Sequence, residues 1–117
     1  MSTLIVLNRK PYDGTDVTWN ALRLAEKLRE NGEEVRLFLM NDSVDLARGV
    51  TKAPEGYFDL VEITKELISK GGSVKVCGTC QVRCGIHKGK SYYEGAQKAT
   101  IGELSGWVRD SDRMLTF

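Results

Sequence analysis

Apolar positions along the chain follow two rhythms. Thr3 to Leu7 (TLIVL), Glu34 to Met40 (EVRLFLM) and Ser73 to Cys77 (SVKVC) are runs too short for helices, which predicts strands buried on both faces of a sheet. Between the first two, Val17 to Glu30 (VTWNALRLAEKLRE) spaces Trp19, Leu22, Ala25 and Leu28 three apart with charges opposite, and Asn31-Gly32 follows. That is the pattern of an amphipathic helix and its stop. Tyr57 to Lys70 returns to helical spacing through Leu60, Ile63, Leu67 and Ile68 and halts at Gly71-Gly72. Asn41 opens a short capped helix closed by Gly49. Thr100 with Glu103 forms a capping-box pattern that starts a helix from Ile101 to about Arg109, burying Leu104, Trp107 and Val108, and Arg113 to Phe117 reads as a last strand.

Strand, helix, strand, helix, strand implies right-handed crossovers and a parallel sheet with helices on both faces, an α/β fold. At 117 residues with 41% hydrophobic content, the chain closes one core and is expected to be a single domain over residues 1–117. No internal repeat or linker interrupts it.

A net charge of +1 gives no global footprint for nucleic acid, so no direct contact with it is expected. No apolar stretch approaches the roughly 20 residues that span a bilayer, and the first residues do not read as a signal peptide. A cytoplasmic location is therefore the expectation, with no membrane partner, and there a tight cysteine cluster serves catalysis, redox chemistry or metal binding rather than a disulfide framework.

That cluster is VCGTCQVRCGIHKGK, Val76 to Lys90, which holds all three cysteines and the single histidine. If SVKVC is a parallel strand, Cys77 ends it at the carboxyl edge of the sheet, where doubly wound folds place their binding crevice. Asn8, Arg9 and Tyr12 after the first strand, and Asn41 and Asp42 after the second, should open onto the same edge. Lys75, Arg83, His87, Lys88 and Lys90 are candidate cations for a Cys77 thiolate. Equally, Cys77 can be a small buried residue finishing an apolar strand. Cys77-Gly-Thr-Cys80 has dithiol spacing, in which the second thiol resolves a mixed disulfide. With Cys84 and His87 the stretch contains four potential zinc ligands, although the core does not need a metal staple, and no metal is expected. No G-x-G-x-x-G or P-loop occurs, and no cofactor is expected.

Several stretches in order carry a family resemblance: the opening strand with its Asn8-to-Gly14 loop, LRLAEKLRE, RLFLMND, the PEGY turn at Pro54 to Tyr57, VKVCGTC, CGI at Cys84 to Ile86, IGEL and MLTF. Together they resemble the DsrE/DsrF-like family, and within it the small YchN-like members. The resemblance implies a three-layer α/β/α sandwich with a mainly parallel sheet, assembly into homo-oligomers (trimers or hexamers), and intracellular sulfur transfer between a donor and an acceptor protein. It implies Cys77 as the persulfide-forming thiol, Cys80 as a candidate resolving thiol, and a sulfurtransferase subunit or carrier rather than a complete enzyme. Arg83 and Lys88 are the candidate thiolate-stabilising cations, Cys84 and His87 accessory groups, and Asn8, Tyr12 and Asp42 the crevice. One departure stands out: where YchN-like proteins have Arg-Gly-Ile, this chain has Cys84-Gly85-Ile86, with Arg83 one place earlier. The alternative function is an oligomeric redox-sensing or zinc-binding module built on Cys77, Cys80 and Cys84. The aromatics near loops at Tyr57, Phe58, Tyr92 and Tyr93 are expected at subunit contacts.

Overall fold

The structure, a computed structural model, describes residues 1–47, 53–78 and 95–117. Its strands are β1 (Ser2–Leu7), β2 (Glu34–Leu39), β3 (Ser73–Cys77), β4 (Ala96–Ala99) and β5 (Arg113–Thr116). They form one sheet in the order β4-β3-β2-β1-β5, and every pairing is parallel. Helices α1 (Val17–Glu30), α2 (Leu60–Ser69) and α3 (Ile101–Asp110) supply the layers, and a 3-10 helix, Asn41–Ala47, follows β2.

All six residues of β1 are buried, as a central strand covered on both faces requires. Parallel pairing puts paired residues on one face, so Leu4, Arg36, Phe38, Lys75 and Cys77 share a face with α3, where the Trp107 ring meets Phe38 edge-on at 6.3 Å. Ile5, Leu37, Leu39, Val74 and Val76 face the other way, toward α1 and α2. Leu4, Ile5, Leu22, Leu37, Phe38 and Leu39 are fully enclosed. The three-layer arrangement around a parallel sheet agrees with the sequence reading.

Four local expectations change. β4 was not anticipated: AQKA is short, mostly exposed and polar in the middle, and only its pairing with β3 makes it a strand. Helix α2 begins at Leu60 rather than Tyr57, because the Asp59 carboxylate accepts from Glu62 N at 3.1 Å and caps it there. Tyr57 and Phe58 are left exposed in the preceding turn, where Gly56 takes φ +85°. The segment after β2 coils as a 3-10 helix, and Gly49 lies outside the described residues. Finally, α3 has its expected capping box, but it rests on the sheet through Leu104 and Trp107, while Val108 stays 45% exposed.

Strand β5 has one neighbour, and carboxylates fasten it at the amino edge. Asp112 accepts from Ser2 N at 2.7 Å and from Ser2 Oγ at 3.3 Å. Glu33 accepts from Thr3 Oγ1 and from Arg113 Nη1, both at 2.7 Å. The Ser2 backbone N–H is the chief cause holding the Asp112 carboxyl below its ordinary value, and the Thr3 hydroxyl is the chief cause for Glu33. Depressed native values mean that this stabilisation is complete above the unfolded carboxyl range near pH 4 and is lost as pH falls through the native values. Thermal melts followed by circular dichroism should therefore show Tm falling below about pH 5, and the Glu33→Gln, Asp112→Asn double variant should show a shallower acid limb than the parent. Equal limbs would mean that these two carboxylates do not anchor β5 through their ionised forms.

Candidate functional site

Strand β3 alternates cleanly. Val74 and Val76 bury themselves toward α1 and α2, which sends Lys75 and Cys77 to the α3 face. Cys77 is the last strand residue, 4% exposed, paired in register with Ala99 of β4. At Gly78 the backbone is already helical. A Cβ at Gly78 would lie 2.7 Å from Lys98 Cε and 3.3 Å from Lys98 Cγ, so the lysine stem crosses the backbone directly after the thiol. Glycine is what lets it approach so closely.

The carboxyl ends of β1 and β2 lie along the same edge. Asn8, one residue beyond β1, donates from its backbone N and from Nδ2 to Phe117 O, at 3.0 and 3.1 Å, and its Oδ1 accepts from Asn41 Nδ2 at 2.9 Å. Asn41 has φ +52°, a left-handed conformation that asparagine tolerates better than most residues. It turns the chain sharply out of β2, and Ser43 Oγ then sits 2.7 Å from both Leu7 O and Met40 O, locking the turn onto β1.

Tyr12 has a different task from the one expected. Its hydroxyl donates to Phe58 O and accepts from Leu60 N, both at 2.9 Å, and so braces the start of α2. Around it, Trp19 stacks on Phe58 at 4.6 Å, Arg23 covers the indole at 4.5 Å, and Tyr57 meets Tyr12 edge-on at 6.4 Å. Asp42 is exposed in the first turn of the 3-10 helix. Arg9 pairs with Asp13 at 3.3 Å. The Thr15 hydroxyl is the chief cause that holds the Asp13 carboxyl below its usual range. Cys80, Arg83, Cys84, His87, Lys88, Tyr92 and Tyr93 lie outside the described residues.

Two charged residues escaped the sequence reading as site groups: Lys98, packed over Gly78 from the face opposite Cys77, and Glu103, paired with Lys75. Lys98 carried no signal, because its strand was not legible. Glu103 was legible only as a cap: its Oε2 accepts from Thr100 N at 2.8 Å, and its Oε1 also lies 3.7 Å from Lys75 Nζ. The Lys75 ammonium sits 4.6 Å over the Trp107 ring. The thiol thus ends a buried strand at the carboxyl edge, with a lysine on its own face and a second lysine crossing the next residue.

A concavity of about 540 Å³ runs along α1 between Asn20, Arg23, Glu26, Lys27 and Glu30, and a cleft of about 20 Å³ lies among Pro11, Tyr12, Trp19, Tyr57 and Phe58. Cys77 lines neither. Among the described residues no helix is long and apolar enough to cross a membrane.

The family model for DsrE/DsrF-like proteins matches residues 1–117. YchN of Escherichia coli K12 is 36% identical over 116 residues, covering 97% of both chains. The Methanopyrus kandleri protein MK0008 is 33% identical over 113 residues, covering 97% of this chain and 91% of its own. The crystal structure of E. coli YchN superposes with a TM-score of 0.88 at 35% identity, over 100% of this chain and 99% of that one. The Methanobacterium thermoautotrophicum protein MTH1491, at 11% identity and a TM-score of 0.69, shares the fold.

Proposed function

The chain belongs to the DsrE/DsrF-like family, and from that premise we propose that it is an intracellular sulfur carrier whose Cys77 takes up sulfane sulfur as a persulfide and passes it to a partner protein. The observation that carries this reading is the place of Cys77: last residue of a buried parallel strand, at the edge where strand ends and their loops meet, with cations built close by. Cys77 is 4% exposed, and in this proposal the partner meets it from the carboxyl edge of the sheet.

In the proposed uptake step, the Cys77 thiolate attacks the outer sulfur of a donor persulfide. The donor's S–S bond breaks, its thiolate leaves, and a new Sγ–S bond forms on Cys77. No net oxidation takes place. Delivery is the same displacement in reverse, with an acceptor thiolate attacking the outer sulfur. In the proposed second route Cys80 attacks Cys77 Sγ instead, expels hydrosulfide and leaves a Cys77–Cys80 disulfide, which a thiol reductant must reopen. Arg83 and Lys88 would favour the anionic form in either route, and two positive charges near a thiol act in that direction.

The functional unit in this proposal is a homo-oligomer. α3 buries none of its side chains fully and leaves Ile101 64% exposed on the same stripe as Val108, while Met114 of β5 is also open. Such a patch supports contact with a second copy of the chain. Light scattering should give the mass of a trimer or hexamer for the parent, and Ile101→Glu with Val108→Glu should reduce it. A monomeric parent would refute the assembly.

Sulfur uptake is tested by intact-protein mass spectrometry after incubation with a cysteine desulfurase and cysteine. The parent and the separate Cys80→Ser and Cys84→Ser variants should gain about one sulfur mass, and Cys77→Ser should gain none. Uptake that survives in Cys77→Ser contradicts the assignment. A loss of two hydrogens in place of a gain would support the redox module instead.

A further inference from the structure

The geometry points to a docking site for a lysine side chain of a partner protein in the aromatic cleft between α1 and the turn before α2, with the Asp16 carboxylate as its counter-charge. Cys77 lies on the other side of the sheet, toward α3, so the site stands whether or not that thiol carries sulfur.

Two segments beside the sheet build the cleft. Tyr12 lies between β1 and α1, and Tyr57 and Phe58 precede α2, which places the cleft at the carboxyl end of the strands. The Tyr12 hydroxyl is committed to the turn, donating to Phe58 O and accepting from Leu60 N at 2.9 Å each, so only its ring is left to the cleft. Trp19 and Phe58 stack with centroids 4.6 Å apart, and Tyr57 meets Tyr12 edge-on at 6.4 Å. Four rings are thereby held around a space of about 20 Å³. That is room for one water-sized group. An ammonium has this size, and a whole metabolite does not.

Aromatic faces are electron-rich, so the polar guest they favour is a cation. One of these rings already holds a cation: Arg23, oriented by Asn20 Oδ1 at 3.0 Å, covers the Trp19 indole at 4.5 Å. Among the described residues that line the cleft, Asp16 is the single charged group. An aspartate before a helix ordinarily turns its carboxylate back to the N–H groups of the first turn. Asp16 makes no such bond to α1, and among the described residues its carboxylate has neither a hydrogen bond nor an ion pair. The neighbouring Thr15 hydroxyl is committed to Asp13 Oδ1 at 2.6 Å, so Asp16 is what remains to meet a charged guest.

The surroundings carry the same sign. Residues 54–64 add Glu55, Asp59 and Glu62 and contain no lysine or arginine. In the loop before α1, Arg9 is matched by Asp13 at 3.3 Å, and Lys10 is exposed outside the cleft lining. Asp16 and Asp59 also put one carboxylate at the start of each helix, offsetting the partial positive charge that two helix N-termini present to a cation. A free amine in so small a space gains one weak contact for the freedom it loses. A lysine on a partner surface is brought in by the rest of the interface, and its four-carbon stem lies against Tyr57 and Phe58, which are 54% and 59% exposed.

The test follows the Trp19 indole N–H by NMR in the full-length chain, assigned against Trp107→Phe, while a blocked pentapeptide, acetyl-Ala-Ala-Lys-Ala-Ala-amide, is added. The signal should shift saturably with a Kd in the millimolar range. The same peptide with norleucine in place of lysine should bind about fivefold more weakly, because it keeps the stem and loses the charge. Free n-butylamine should bind about threefold more weakly than the lysine peptide. Asp16→Asn keeps a residue that suits a helix start and should weaken the lysine peptide about threefold, and Phe58→Leu should weaken it by a similar factor. Absence of a saturable shift, equal binding of the norleucine peptide, or undiminished binding by Asp16→Asn overturns the assignment. Equal affinity for n-butylamine would make the cleft a site for free amines and not a docking surface. A Trp19 signal that moves when the parent alone is diluted would mean that a second copy covers this face, which also overturns it.

Discussion

Parallel register between β3 and its neighbours decides where Cys77 stands. Because Val76 pairs with Leu39 and Cys77 with Ala99, the last residue of β3 reaches the edge shared by the ends of β1 and β2. An antiparallel β3 would deliver the thiol to the opposite end of the molecule. A slip of one residue would turn it from the α3 face to the α1 and α2 face, since side chains alternate with period two. The buried valines prevent that slip: Val74 and Val76 are enclosed on one face, and a slip would replace them there with Lys75. Apolar burial of the strand therefore fixes the geometry of its polar chemistry.

The same alternation accounts for the polar half of β3. Lys75 lies where a core residue would otherwise be, and its desolvation is offset by an aromatic face and a carboxylate rather than by water. Glu103 thus carries two duties, capping α3 and pairing across to the sheet. Through it, the orientation of α3 is tied to strand β3. At the other end of the edge, the Asn8–Asn41 bond and the left-handed turn at Asn41 tie the outgoing chains of β1 and β2 together.

Most of this frame was legible in the residues. The short apolar runs marked β1, β2 and β3, the three-residue spacing marked α1, and Thr100 with Glu103 announced α3, because each signal is local. Strand β4 was not legible, since Ala96, Gln97, Lys98 and Ala99 have little intrinsic strand character and pair only because β3 offers an edge. Helical spacing carried Tyr57 and Phe58 into α2 on paper, whereas the Asp59 cap excludes them and leaves them beside Trp19. The position of Cys77 followed from its strand. The contacts of Lys98 with Gly78 and of Glu103 with Lys75 did not, since they exist only once β4 and α3 are folded against β3. The bracing role of Tyr12 was not legible, because the partners of a hydroxyl are set by tertiary packing.

In the proposed relay, sulfur resides on Cys77. Its most direct test is to load the parent chain from a persulfide donor, cap persulfides with an alkylating reagent, and locate the added sulfur by fragment-ion mass spectrometry of the peptide that contains Cys77 and Cys80 and of the one that contains Cys84. A capped persulfide is expected on the Cys77 fragment ions. Sulfur found on Cys80 or Cys84, with Cys77 carrying only the alkyl group, would contradict it.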